Sequence, residues 1–336
     1  MSALHAALPE PAEARRPPEE RGLRRDGVRL LVASRAGLWH RRFTDLPGLL
    51  VPGDVLVLNI SRTLPAALSA RRSDGTELTL HLSTPVPSAD DGRWVVELRR
   101  EGQCFRAARA GEELSLAGGA EARLLAPYMG TRLWVATFRL PETLPEYLAR
   151  HGAPVRYCHI DGDRPLDRHQ NVYATEPGSA EPASAGRPFT PELITQLVAS
   201  GVDVAPIVLH TGVSSLEDGE APYPERYRVP WWTAERVNVA RRVIAVGTTV
   251  VRALESAASE HGIVRPSAGW TDLVIGPERG VRVIDALLTG FHDRNSSHLR
   301  MLEAIAGPAR IAESYRAAAA AGYLRHEFGD LMLLER

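Results

Sequence analysis

The hydrophobic rhythm of the chain changes twice, and this constrains its architecture more than any single motif. Between Ala66 and Leu140 short alternating runs, residues 77–82, 94–98, 121–125 and 133–138, are cut by Asp74-Gly75, Asp91-Gly92 and Gly118-Gly119 turns. Period-2 alternation between such turns predicts a small all-β unit. After Pro145 helix and strand patterns alternate, as in a layered α/β domain. Residues 28–32 and 54–59, ahead of the β-rich stretch, are apolar runs of the same kind as those behind it. The order predicts an α/β domain interrupted by an insertion. Residues 1–65 form its first part, with a Pro-rich arm from Pro9 to Arg25; residues 66–145 are the insertion; residues 146–336 carry most of the site.

Local signals place the later elements. Thr190 can cap a helix that opens at Pro191 and Glu192, puts Leu193, Ile194, Leu197 and Val198 on one face and stops at Gly201. Strands are expected at 202–209, 243–246, 272–275 and 281–288, and helices at 233–242, from Thr248 or Thr249 to Gly262, and over most of 296–321. Residues 177–188, rich in Gly, Ala, Ser and Pro, read as a site-lining loop.

Composition removes several chemistries. All 40 residues counted as Lys+Arg are arginine, which excludes a lysine Schiff base, a pyridoxal phosphate anchor and a phosphate-loop lysine. Cys104 and Cys158 are too few for a disulfide framework or a four-cysteine zinc site, and point to a reducing compartment. The charged, Pro-rich start has no apolar centre of the signal-peptide kind, so the cytoplasm is the expected location. No apolar run approaches the ~18 residues of a membrane span. A net charge of -1 gives no compositional support for an RNA partner. His159, His169 and His210 lack metal-ligand spacing, so no metal is expected, and neither dinucleotide nor phosphate-loop fingerprints occur.

The sharpest local signal is the run from Val243 through Gly247-Thr248-Thr249 to Arg252, Glu255 and Ser256. A buried strand, a glycine turn and a helix start make an anion site beyond the strand's carboxyl end. The two threonine hydroxyls can add donors, and Arg252 can clamp a carboxylate or phosphate. Alternatively the threonines only cap the helix and Arg252 pairs with Glu255 or Glu225. His210 and His292 each close a strand and are either catalytic or hydrogen-bonded structural groups. Asp272 and Asp285 each set one acid against apolar strand residues, where it either acts as a base or binds loop amides or an arginine. Glu176 leads into the 177–188 loop and is the better acidic candidate. Trp231 and Trp232 either shield a nucleoside or pack the core. The arginine pairs 15–16, 24–25, 41–42 and 71–72 either contact RNA phosphates or form solvated surface.

Together these motifs resemble a family, the S-adenosylmethionine:tRNA ribosyltransferase-isomerases of queuosine biosynthesis. The likeness runs through Pro52-Gly53-Asp54 to Asn59 with Arg62 and Pro65, Val172-Tyr173-Ala174 with Glu176-Pro177-Gly178-Ser179, and Ala185-Gly186 with Phe189-Thr190. It continues through Leu209-His210 with Gly212, Val243 to Thr249 with Arg252 and Leu254-Glu255-Ser256, and Trp270-Thr271-Asp272. It ends with Asp285-Ala286-Leu287, Thr289, Phe291-His292, Ala306-Gly307 and Gly329-Asp330. The resemblance implies a discontinuous mixed-sheet α/β domain with an inserted β-barrel, acting as a monomer. It implies S-adenosylmethionine as ribosyl donor, without a metal, and tRNA as acceptor. The ribosyl part passes to the aminomethyl group of a 7-deazaguanine wobble base, giving epoxyqueuosine with loss of adenine and methionine.

A sulfonium acidifies its adjacent C5' hydrogens, so a placed carboxylate or imidazole can remove one and help expel adenine. On the resemblance, Glu176, His210 or Asp272 is that base, and Arg252 with Thr248 and Thr249 suits the methionine carboxylate. Asn59, Arg62, Ser184, Gly186, Gly212, Gly247, Glu255, Asp285, Phe291 and His292 complete the expected binding residues.

The chain departs from the family pattern in several loops. Pro-Thr-Ala-Gly-Leu-His-Phe is replaced by Ala183-Ser184-Ala185-Gly186-Arg187-Pro188-Phe189, without the histidine, and Leu-His-Val-Gly-x-Gly-Thr-Phe by Leu209 to Leu216 with Ser214 and Ser215. The following segment, 217–225, is shortened and lacks a His-x-x-His-x-Glu run. Thr-Asn-Phe-His-Leu-Pro becomes Thr289-Gly290-Phe291-His292-Asp293-Arg294, followed by Asn295, and the arm's Leu-Ile-Ala-x-x-Pro becomes Ala12 to Pro17. These changes leave two alternatives: a paralogue that uses S-adenosylmethionine on a small-molecule acceptor or cleaves it, and a noncatalytic nucleoside- or RNA-binding paralogue.

Overall fold

A computed structural model describes residues 8–87, 91–130, 132–156, 162, 164–213, 222–294 and 296–336. Cys158, His159, Ser214, Ser215, Leu216, most of the shortened 217–225 segment and Asn295 lie outside the described residues. The architecture is the expected mixed-sheet α/β domain interrupted by a β-barrel.

A nine-stranded sheet runs in the order Ser267–Thr271, Glu225–Val229, Asp203–Leu209, Asp54–Asn59, Arg242–Val246, Ala286–Gly290, Leu331–Glu335, Arg29–Ser34, Gly37–Arg42. The block from Asp203–Leu209 to Ala286–Gly290 is parallel. Its strands read as continuous apolar runs because both faces are covered. Val55 and Val57 face a core built with the helices Trp231–Val239, Thr248–Ala257, Ser297–Ala306 and Pro308–Ala320, whereas Leu56 and Leu58 face one built with Pro191–Ala199. Fully buried Asp54 pairs with Arg242 at 2.5 Å, tying together the amino ends of two central strands.

Six strands, Leu133–Arg139, Glu121–Tyr128, Glu113–Leu116, Ala67–Arg71, Glu77–Pro85 and Trp94–Arg100, close on one another through the Leu133–Arg139 to Trp94–Arg100 pairing. An irregularity between Leu82 and Thr84 leaves Ser83 out of the ladder. Such a bulge re-aims one side chain. Here the Ser83 hydroxyl leaves the barrel and accepts from the Val213 amide at 3.1 Å.

Several boundaries differ from expectation for local reasons. The helix expected at 233–242 spans Trp231–Val239, and the Thr233 hydroxyl donates to the Pro206 carbonyl instead of capping it. The helix after Gly247 stops at Ala257, because Ala258 bridges to Val264 and Gly262 makes a left-handed turn. No strand forms at 272–275; Ser267–Thr271 pairs instead with Glu225–Val229. Strand 281–288 shrinks to Ala286–Gly290, since the Arg282 and Val283 amides donate to the Glu255 carboxylate. Within the 177–188 stretch, Glu176–Ser179 pairs in parallel with Ser61–Thr63, and Ser184–Gly186 is a helical turn. Residues 296–321 divide into two helices at Gly307, where φ is +79° and Pro308 opens the second helix. Among the described residues no helix is long and apolar enough to cross a membrane.

Candidate active site

The four parallel strands end together at Leu209, Asn59, Val246 and Gly290, and the side chains beyond these ends form the candidate site. Gly247 makes the turn out of its strand with φ +90°, a conformation that suits glycine. No side chain caps the helix Thr248–Ala257 that follows, so its first-turn amides and positive dipole end are left for an anion. The predicted threonine caps are therefore not made. Ser184–Gly186 covers the turn: a Cβ on Gly247 would stand 3.5 Å from that of Ala185. Gly186 is confined in turn, because a Cβ there would fall 1.8 Å from the Tyr173 hydroxyl.

Asn59 locks the centre of this edge. Its buried carboxamide donates to the Leu209 carbonyl at 2.9 Å and to Thr249 Oγ1 at 3.2 Å. The same group accepts from the Leu209 and Ser61 amides at 3.0 and 3.1 Å. All four hydrogen-bonding positions of the carboxamide are thus in use.

His210 is buried beside it. Nδ1 lies 2.8 Å from Ser61 Oγ, which lies 2.6 Å from Ser179 Oγ, and the Thr211 amide donates to Ser179 Oγ at 3.0 Å. Gly178 presses on the ring, for a Cβ there would come within 2.4 Å of Nδ1. Burial, followed by the charges of Arg226 and Arg228, pushes the His210 pKa down to about 4, so the ring is neutral at physiological pH. Glu176, in register with Ser61, forms a partly exposed ion pair with Arg228. Arg62, on the same short strand as Ser61, is exposed.

Arg252 adopts the ion-pair alternative. It pairs with Glu225 and also donates to the carbonyls of Thr271 and Leu273 at 3.1 and 3.2 Å. The other Glu225 oxygen accepts from the Gly212 amide at 3.0 Å. Gly212 tolerates no Cβ, since the Tyr223 hydroxyl and Ser83 Oγ would lie within 2.3 and 2.4 Å of it. Through Ser83 the barrel therefore reaches the loop that follows His210.

On the other flank, Thr289 Oγ1 is 2.9 Å from His292 Nε2, and the His292 backbone exchanges hydrogen bonds with the Tyr315 hydroxyl. His298 stacks 4.7 Å from His292, and burial together with Arg252 pushes its pKa down to about 4. Phe291 packs edge-on against Tyr315 and Tyr323 in the core, away from any ligand surface.

Three expected residues stand elsewhere. Glu255 is buried and fully occupied by Arg279 and the amides of Arg282 and Val283, so it anchors a loop. Asp285 precedes its strand and accepts from the Val243 amide at 2.8 Å, which puts it at the amino end of the parallel block, opposite the site. Asp272 follows its strand and is exposed, not set against apolar neighbours. Trp231 and Trp232 pack edge-on against each other but remain exposed, so they are not core residues. The sequence reading missed Ser61, Ser179, Ser83, Tyr223 and His298. Two of them carried a signal: Ser61 lies two residues beyond Asn59 at the end of a buried strand, and Ser179 closes the Glu176-Pro177-Gly178-Ser179 motif.

Comparison with known proteins gives a consistent result along the whole chain. The family model described as Queuosine biosynthesis protein matches residues 1–334. An S-adenosylmethionine:tRNA ribosyltransferase-isomerase from Anaeromyxobacter sp. (strain Fw109-5) is 38% identical over 354 aligned positions, covering 100% of this chain and 99% of that protein. A protein of the same name from Thermus thermophilus is 37% identical, covering 92% of this chain and 93% of its own. The crystal structure of S-adenosylmethionine tRNA ribosyltransferase from Thermotoga maritima is similar, with a TM-score of 0.50 and 30% identity across 97% of both chains.

Proposed function

The chain belongs to the queuosine biosynthesis protein family, and from that premise we propose that it is an S-adenosylmethionine-dependent ribosyltransferase-isomerase acting on tRNA. It moves the ribosyl part of the donor to the aminomethyl group of a 7-deazaguanine base, releasing adenine and methionine. The observation that carries this reading is the meeting, at one sheet edge, of an uncapped helix start, a buried neutral histidine and a rim of arginines, in a chain related end to end to the named enzymes.

The donor's sulfonium acidifies the C5' hydrogens, and the donor carries two leaving groups, methionine at the sulfonium and adenine at C1' of the ribose. The amides of Thr248 and Thr249, with the helix dipole behind them, receive its carboxylate. Gly247 and the Ser184–Gly186 turn shape the space over that helix start. Arg252 holds Glu225, and Glu225 holds the Gly212 amide, which fixes the loop after His210. Glu225 is held on both oxygens, so Glu176 serves as the base; its pairing with Arg228 orients it. Arg62, Arg226 and Arg228 face the acceptor and take tRNA phosphates. The same reading places the enzyme in the cytoplasm, working as a monomer.

The test is release of adenine and methionine from S-adenosylmethionine, with and without tRNA carrying 7-aminomethyl-7-deazaguanine. Release that requires this tRNA is the expected result. Release without tRNA points to a small-molecule or cleavage reaction, and binding without release to a noncatalytic paralogue; either overturns the reading.

A further inference from the structure

The hydrogen-bond chain behind His210 has a direction. The Thr211 amide donates to Ser179 Oγ at 3.0 Å, so that oxygen is an acceptor and its own hydrogen is free to be donated. Ser61 Oγ, 2.6 Å away, takes it. Ser61 then has one hydrogen to give, and the ring nitrogen at 2.8 Å, His210 Nδ1, accepts it. Each of the three donors behind the ring then has one acceptor, and the hydrogen left on the ring, at Nε2, is not among the sealed polar atoms without a partner, so it can bond to solvent or a ligand. In the reverse order Nδ1 carries the proton and donates to Ser61, Ser61 donates to Ser179, and Ser179 receives two bonds while its own hydrogen finds no acceptor among the described residues. Ser61, Ser179 and His210 are 4, 2 and 6% exposed, and a buried hydroxyl without an acceptor is costly. The forward order is therefore the stable one.

We propose that His210 acts in this crevice as a neutral hydrogen-bond donor through Nε2, locked in that tautomer by Ser61 and Ser179, and not as the proton-abstracting base. Its target is an oxygen or ring-nitrogen acceptor of the nucleoside, and this role rests on the ribosyl-transfer reading of the site. Nε2 makes no hydrogen bond among the described residues, so it is the ring atom available to a ligand. Gly178 lies against the other edge of the ring and keeps it from swinging. The charged groups around it are Arg226 and Arg228, with Glu176 already paired to Arg228, and the two cations oppose formation of an imidazolium. Ser61 and Ser179 are positioning residues: they act on substrate through the ring.

The tautomer is read on the free protein by long-range nitrogen–proton NMR of uniformly labelled enzyme near pH 7, with the His210 signal assigned by its loss in His210→Gln. The expected pattern is a protonated Nε2 and an unprotonated Nδ1, which becomes mixed in Ser61→Ala. A protonated Nδ1 or an imidazolium overturns the proposal. Kinetics test the donor itself. His210→Gln, whose amide can replace Nε2–H, is expected to lose far less activity than His210→Leu, which falls by about 100-fold or more. The wild-type rate should show no histidine limb between about pH 5 and 8. Equal losses in the Gln and Leu variants, with a limb near the ordinary histidine range, overturn the donor role. Failure of the wild type to release adenine under any condition is a different failure, that of the ribosyl-transfer reading, and it removes the donor's target while the NMR pattern still decides the tautomer.

Discussion

Glu225 stands between Arg252 and Gly212, pairing with the guanidinium through one oxygen and accepting the Gly212 amide at 3.0 Å through the other. The side chains of the pair are only 12 and 10% exposed. Removing one partner strands the other charge. Arg252→Ala is predicted to destabilise the protein by about 3 kcal/mol, measured by denaturant unfolding, and the double variant with Glu225→Ala by much less than the sum of the single changes. Because the pair fixes the loop after His210, Arg252→Ala should also weaken S-adenosylmethionine binding at least about tenfold in calorimetry.

Gly178 has no room for a side chain beside His210. Gly178→Ala should displace the ring and lower kcat by about 100-fold, since small displacements of a catalytic group are costly. Because that ring is buried, the clash should also cost about 1–3 kcal/mol of stability, read as a lower melting temperature. A large loss of Tm with normal specific activity in the folded fraction would count against a role for the ring.

Acid should destabilise the protein in two stages. His210 is held near pKa 4 in the folded state, below its ordinary value, so protonation favours unfolding and its contribution is lost as pH falls from about 6.5 toward 4. In the barrel, burial raises the Glu97 pKa, but His81, with Nδ1 3.7 Å away, Arg99 and Arg132 outweigh it and hold the carboxyl at about 2. That stabilisation, about 3 kcal/mol, is present above the ordinary glutamate value and lost between about pH 4.5 and 2. Measured relative to its own neutral-pH stability, Glu97→Gln should show a smaller lower stage, the remainder belonging to carboxylates such as Asp54 whose pKa is also lowered, and the upper stage should shrink in His210→Gln.

Arg62 and Arg226 are exposed at the rim of the candidate site. Replacing either by alanine should weaken tRNA binding and lower the slope of log affinity against log salt by about 1, with S-adenosylmethionine affinity unchanged. Unchanged slopes would move the RNA surface elsewhere.

Much of this architecture is legible in the chain because its signals are local. The buried run 54–59, the Asp-Gly turns of the barrel and the Thr190 cap, which accepts from the Leu193 amide at 3.2 Å, each depend on a few neighbouring residues. The site is less legible, because it depends on register and direction. Asp285 falls inside the strand expected at 281–288, but the Glu255 carboxylate takes the Arg282 and Val283 amides and the strand begins only at Ala286, which leaves Asp285 at the amino end, opposite His292 beyond the carboxyl end. Ser61 and Ser179 meet through the pairing of two short strands 118 positions apart. The Arg187 departure from the family pattern faces inward, donating to Glu19 at 3.0 Å and lying over Phe328, contacts that depend on where the N-terminal arm lies.

The most direct measurement is a crystal structure of the protein with S-adenosylmethionine. The methionine carboxylate is predicted within about 2.7–3.2 Å of the Thr248 and Thr249 amides, with a nucleoside acceptor facing His210 Nε2. A nucleoside bound elsewhere, or one in this crevice with its amino-acid tail turned away from the helix start, would contradict that placement.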